Sequence, residues 1–165
     1  MAEQPTSLCR VDESNWRTYR DVRLASLLDT PSAFGSTYAA ESAFTDERWL
    51  ARVHGGSSTW LAMWGELPVG TATSVRFLEQ GEHETCLVGM WVAGHARGRG
   101  VGEALVGQVI ADARSRRLAR VTLDVAETNH PARNLYERSG FRPTGRRGVL
   151  PHDERIVELE MALEL

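Results

Sequence analysis

The stretch from Val88 to Phe141 constrains this chain more than any other. It opens within an apolar run, Leu87 to Val92, that reads as a buried strand. A glycine- and arginine-rich turn follows, Gly94-His95-Ala96-Arg97-Gly98-Arg99-Gly100. A helical pattern then starts with Val101, Leu105 and Val109 on one stripe. Strand, glycine turn and helix start together make an anion site. The first N–H groups of a helix have no internal partner, and its dipole places partial positive charge there. Gly98, Gly100 and Gly102 remove Cβ atoms that would hold a bulky anion away, and Arg97 and Arg99 add forked donors suited to phosphate oxygens. The expected ligand group is a diphosphate.

Spacing decides which diphosphate. A Walker loop needs a lysine, and all 19 basic residues are arginine. The dinucleotide fingerprint G-x-G-x-x-G fails because Glu103 falls where its third glycine belongs. R-x-x-G-x-G does fit, as Arg97, Gly100 and Gly102. This resembles the pyrophosphate loop of the GNAT superfamily of acetyl-CoA-dependent N-acetyltransferases. Downstream, Asn129-His130-Pro131-Ala132-Arg133-Asn134-Leu135-Tyr136-Glu137-Arg138-Ser139-Gly140-Phe141 is similar to the second signature of that superfamily, N-x-x-A-x-x-L-Y-x-x-x-G-F, at every fixed position. Gly94 departs from the pattern, standing where the superfamily often has proline.

Composition bounds the remaining classes. A chain of 165 residues, 42% hydrophobic and 25% charged, fits one ordinary globular domain spanning residues 1–165. A net charge of −3 gives no electrostatic case for nucleic acid. Cys9 and Cys86 read as separate thiols of a reducing compartment. The start, Met1-Ala2-Glu3-Gln4-Pro5, has neither the basic nor the apolar region of a signal peptide, and no run of 18 apolar residues exists. A cytoplasmic location without membrane attachment is expected.

Period and punctuation then give the elements in order. A strand over Leu8–Val11 leads to a helix capped by Asp12 or Ser14, with Trp16, Tyr19, Val22, Leu24, Leu27 and Leu28 apolar. Pro31 and Gly35 mark a loop over Asp29–Thr37. Thr45 caps a helix ending near His54. Strands Thr59–Trp64 and Val69–Val75 flank the turn Gly65–Pro68; a polar loop, Phe77–Glu84, precedes the strand Thr85–Val92. Helix Gly100–Arg116, strand Arg120–Val125, helix Pro131–Ser139 and strands around Phe141–Thr144 and Arg155–Leu163 complete the chain. The resemblance implies an α/β (α+β) fold: a twisted mixed sheet of about seven strands, helices on both faces and central strands splayed apart. Splayed strands leave backbone N–H and C=O groups unpaired. The pantetheine arm of acetyl-CoA would pair with them along Met90-Trp91-Val92.

The resemblance also assigns roles. Arg97, Gly98, Arg99, Gly100, Val101 and Gly102 would hold the diphosphate, and Asn129 and Asn134 would orient CoA or fix the turn. Tyr136 aligns with the tyrosine that donates a proton to the departing thiolate. In Val121-Thr122-Leu123-Asp124-Val125, alternation sets Thr122 and Asp124 on the face opposite the apolar residues. Asp124 is the candidate base, with Glu127, His83 and Glu84 as rivals. The acceptor would lie between residues 31–41, with Phe34 and Tyr38, and residues 146–153, with Arg147 and His152. The aromatics and arginines suggest an acceptor with an apolar part and a carboxylate. The expected activity is acetylation of a primary amine, on a small molecule or a peptide N-terminus, with no metal and with room for a homodimer. The alternative is an idle CoA-binding domain acting as sensor or scaffold.

Overall fold

The computed structural model describes residues 4–165; residues 1–3, part of the segment read as lacking a signal peptide, lie outside the described residues. The elements are β1 Thr6–Arg10, α1 Trp16–Asp29, α2 Tyr38–Ser42, α3 Asp46–His54, β2 Ser58–Trp64, β3 Leu67–Val75, β4 Glu84–Val92, α4 Val101–Ser115, β5 Arg120–Ala126, α5 His130–Arg138, β6 Arg142–Leu150 and β7 Asp153–Glu164. Short 3₁₀ turns occupy Pro31–Ala33 and Gly94–Ala96. The seven strands form one open sheet in the order β1-β2-β3-β4-β5-β7-β6. Only β4 and β5 run parallel; every other neighbouring pair is antiparallel.

Helices cover both faces, which β2 records in its own sequence. Trp60 and Ala62 join a core with Val101, Leu105, Val106 and Val109 of α4. Leu61, on the other face, joins Trp16, Tyr19 and Val22 of α1 and Trp49 of α3. Leu105, Val106 and Val109 are fully buried. At ~1.5–3 kcal/mol for each fully buried aliphatic side chain, this stripe is what seats α4 on the sheet.

Local chemistry sets the boundaries. The Thr45 hydroxyl accepts from Arg48 N–H at 3.3 Å and starts α3, as its sequence implies. Gly65, with φ +58°, opens the tight turn that pairs Trp64 with Leu67, so β3 begins at Leu67 rather than Val69. Three expectations need correction. Neither Asp12 nor Ser14 caps α1; Asp12 accepts from the Ser14 N–H in a local turn, and the helix starts after Asn15. Leu28 is 63% exposed, because it stands one residue round from the buried row Val22, Ser26 and Leu27. Between the expected loop Asp29–Thr37 and the Thr45 cap, where no element was expected, lies the short helix α2, capped by Thr37, whose hydroxyl accepts from Ala40 N–H at 3.2 Å.

The seam between β4 and β5 is the feature that positions the site. These strands pair over only three steps, Glu84 with Arg120, Thr85 with Val121 and Cys86 with Thr122. Beyond Cys86 they part. The register of β3 against β4 shifts between Thr71 and Thr73, opposite Gly89, whose φ is +60°. That bulge bends β4 away from its parallel neighbour and opens a cleft lined by backbone edges.

Candidate active site

At the outer end of the cleft, β4 runs into the glycine turn. Gly98 and Gly100 have φ of +72° and +79°, a region that costs any residue with a Cβ. Gly100 is the residue before α4 and carries no side-chain cap. The opening N–H groups of α4 therefore face outward without an intrahelical partner. Val101 is 1% exposed and committed to the core, so it can offer a ligand only its backbone. Gly102 works differently from the sequence reading: a Cβ there would stand 3.0 Å from Leu135 and 3.5 Å from Met90. Its missing side chain lets α4 close on α5 and β4. Gly94 has open space around it.

The two arginines of the turn also divide. Arg97 Nε donates to Val92 O at 2.9 Å and its Nη2 to Asp29 at 2.7 Å, so only part of its fork is free. Trp91 Nε1 donates to the same Asp29 oxygen at 2.9 Å. Arg99 lies over the Trp64 ring, 5.5 Å from its centre, at the exposed rim. Asn129 caps α5 by accepting from Ala132 N–H at 3.3 Å, and Asn134 is exposed on the outer face of that helix. The cap engages Asn129 Oδ1, so its N–H₂ is the group with no bond in the cap.

Tyr136 reaches from α5 into the sheet core, 7% exposed and 6.0 Å ring to ring from Phe141. Burial, with the Cys86 thiol nearby, raises its phenol above the usual range. It stays a protonated O–H donor at any working pH. Cys86, buried at the seam, is likewise pushed up to about 12 by burial, against a hydrogen bond to Thr122 that pulls the other way. A thiol so held is a poor nucleophile.

On the opposite face of β5, Asp124 pairs directly across from Glu160 of β7. Partial burial raises the Asp124 carboxyl, Glu160 raises it further and Arg146 opposes both. Glu158, on the same face of β7, is raised by burial and by Asp124. Sequence reasoning missed Glu158 and Glu160; the signal was their alternation with Leu159 and Met161, which set them beside Asp124. The other candidate bases are placed differently. Glu127 is gripped by Arg147 Nη2 at 3.0 Å to both oxygens, and Glu84 starts β4 at the far end from the cleft. His83 immediately precedes it, its carbonyl accepting from Ala119 N–H.

The two segments expected to flank the acceptor touch each other. His152 Nε2 lies 2.7 Å from Phe34 O, and Pro151 is 3.7 Å from where a Cβ on Gly35 would be. Phe34 is buried under the Arg23 guanidinium, whose centre lies 4.9 Å from the ring. Tyr38 is 40% exposed on α2. Arg147 is paired with Glu127, which removes the free cation expected for an acceptor carboxylate. Arg23 was not foreseen. Its Nε and Nη2 bind Glu41 at 3.1 and 2.9 Å, and its Nη1 would stand 3.7 Å from a Cβ on Gly89. Glu41 also accepts from Arg52 at 3.0 Å, so one fully buried carboxylate ties α1, α2 and α3 beside the bulge.

A glycine-rich helix start beside a parted parallel seam sets an anion cradle next to an open strand edge. Residues 16–141 match the model of the acetyltransferase (GNAT) family, and the chain belongs to that family. A Mus musculus protein named "Probable N-acetyltransferase family 8 member 5" is 31% identical over 113 residues, 66% of this chain and 50% of its own. The chain spans about half the length of the curated relatives it matches. The ribosomal-protein-alanine N-acetyltransferase of Brucella melitensis superposes with a TM-score of 0.79 at 22% identity, over 96% of this chain and 99% of that one. A Salmonella typhimurium structure holding acetyl-CoA gives 0.81 at 16% identity, over 98% and 94%. No helix among the described residues is long and apolar enough to cross a membrane.

Proposed function

We propose that the protein transfers an acetyl group from acetyl-CoA to a primary amine, on a small molecule or a peptide N-terminus, by direct attack with both substrates bound. The observation that carries this reading is the cleft. Beside it lie the uncapped start of α4, the buried Tyr136 against one face of β5 and Asp124 on the other face. The residues present suit acetyl-CoA: glycines at positive φ that a residue with a Cβ would strain, helix-opening N–H groups without an intrahelical partner, and an unzipped strand edge. Bound there, acetyl-CoA supplies a thioester carbon open to attack.

The chain's own groups divide the work. Backbone N–H groups of the glycine turn and α4 hold the diphosphate, and the free part of the Arg97 fork adds charge. The edge of Met90, Trp91 and Val92 aligns the amide-rich arm, and its N–H groups are the donors available to an oxyanion. Asp124 takes the proton from the incoming ammonium; a raised carboxyl is the stronger base, and Glu158 and Glu160 deepen the attraction for a cation. Tyr136 donates its O–H to the departing thiolate. Its raised pKa favours a hydrogen bond to sulfur over complete proton transfer. The high pKa of Cys86 argues against an acetyl-cysteine intermediate and for direct attack.

The test is thiol release from acetyl-CoA with a panel of amines, beside calorimetric titration with acetyl-CoA. Amine-dependent release is expected. Tight binding with silence across the panel would leave a CoA-binding module, and absence of binding would refute the cradle.

A further inference from the structure

The donor and acceptor halves of the cleft touch through one carboxylate that the reaction itself does not use. Asp29 is the last residue of α1. One of its oxygens takes both the Trp91 indole N–H, at 2.9 Å, and Arg97 Nη2, at 2.7 Å. Arg97 in turn braces the end of β4 by donating Nε to Val92 O. On its other side, Asp29 leads straight into the 3₁₀ turn Pro31–Ala33 and then to Phe34. The Phe34 carbonyl is bound to His152 in the turn between β6 and β7. A continuous track therefore runs from the diphosphate turn, through Arg97 and Asp29, to both walls of the acceptor groove.

We propose that Asp29 is a positioning residue that couples occupation of the cradle to the order of the acceptor walls. The inference rests on acetyl-CoA occupying the cradle. With Nε and Nη2 engaged, Arg97 meets a diphosphate through its remaining donors, and the ligand fixes the guanidinium against Asp29. Asp29 then holds the end of α1 and, through the short link to Phe34, the His152 contact. Donor binding thereby prepares the groove before an amine arrives. The coupling is carried by order rather than by a large movement, so amide exchange reads it directly.

The experiment uses the full chain with acetyl-CoA as probe and needs no acceptor. In the parent, saturating acetyl-CoA should slow amide exchange at residues 97–105 and also, by about fivefold or more, at residues 30–37 and 150–153. Asp29→Asn should keep the slowing at 97–105 and lose it at the two acceptor segments. Asp29→Glu, which retains the carboxylate, should recover part of it. The Trp91 indole N–H resonance should move in Asp29→Asn and return toward its parent position in Asp29→Glu. Acetyl-CoA that binds by calorimetry without slowing 30–37 in the parent overturns the coupling alone. So does Asp29→Asn behaving as the parent. Absence of acetyl-CoA binding overturns the functional reading and the coupling with it.

Discussion

Replacing Glu41 with glutamine should unlock α1, α2 and α3 from one another. Glu41 is fully buried and accepts three hydrogen bonds, two from Arg23 and one from Arg52. Burial alone would raise its carboxyl; the bonds and charges of the two arginines outweigh that and lower it from 4.5 to about 2. The difference, 4.5 minus about 2 at ~1.36 kcal/mol for each pH unit, corresponds to roughly 3 kcal/mol. Removing one partner of a buried pair costs a similar ~3–5 kcal/mol, because an uncompensated guanidinium stays behind. At ~2–4 °C per kcal/mol for a chain of this size, Glu41→Gln should melt about 6–12 °C lower at pH 7. The sign with pH follows from the lowered carboxyl. Its stabilisation is fully present above 4.5 and disappears as pH falls toward about 2. Calorimetric melts of parent and variant should therefore converge below pH 4.5. A variant melting within about 2 °C of the parent at pH 7, or a gap that does not narrow in acid, would refute the role given to this carboxylate.

Gly100→Asp should weaken acetyl-CoA binding by at least ~2 kcal/mol, about 30-fold, since a side chain and a like charge enter a backbone anion site; unchanged affinity by calorimetry sinks the cradle. Tyr136→Phe keeps the ring and removes the hydroxyl, so kcat should fall by ~10²-fold with acetyl-CoA affinity nearly intact, and a fully active variant rules out the O–H donor. With Asp124 as base, the acid limb of the kcat profile should titrate above the ordinary carboxylate range, following its raised carboxyl, and Asp124→Asn should depress the rate most at low pH. Should that change raise only KM for the amine, Asp124 merely attracts the cation.

Much of this was legible in the residues. The alternation of Val121, Leu123 and Val125 against Thr122 and Asp124 gave the faces of β5, and the glycine turn gave the start of α4. What stayed hidden depends on partners distant in the chain. The short α2, Tyr38–Ser42, shows too little periodicity to register. β6 runs to Leu150, well past Thr144, because pairing with β7 makes it a strand although most of its residues are exposed. Arg97 and Arg147 looked available to ligands, yet Asp29 and Glu127 already hold them; no pattern local to either arginine reveals a carboxylate so far away. Tyr38 and Phe34, assigned alike, differ because only Phe34 turns inward beneath Arg23.

The three-step pairing of β4 with β5 also bears on how this molecule behaves when idle. The sheet is two smaller sheets, β1 to β4 and β5 to β7, stitched at one end and left unlaced along the rest. A ligand whose amides lace the open part stands in for missing rungs of the ladder, so the bonds that hold it also hold the halves together. Saturation a hundredfold above Kd would add ~2.7 kcal/mol to unfolding by mass action alone. Under the proposed function, the molecule would be least complete as a structure without acetyl-CoA, which would serve as its last strand.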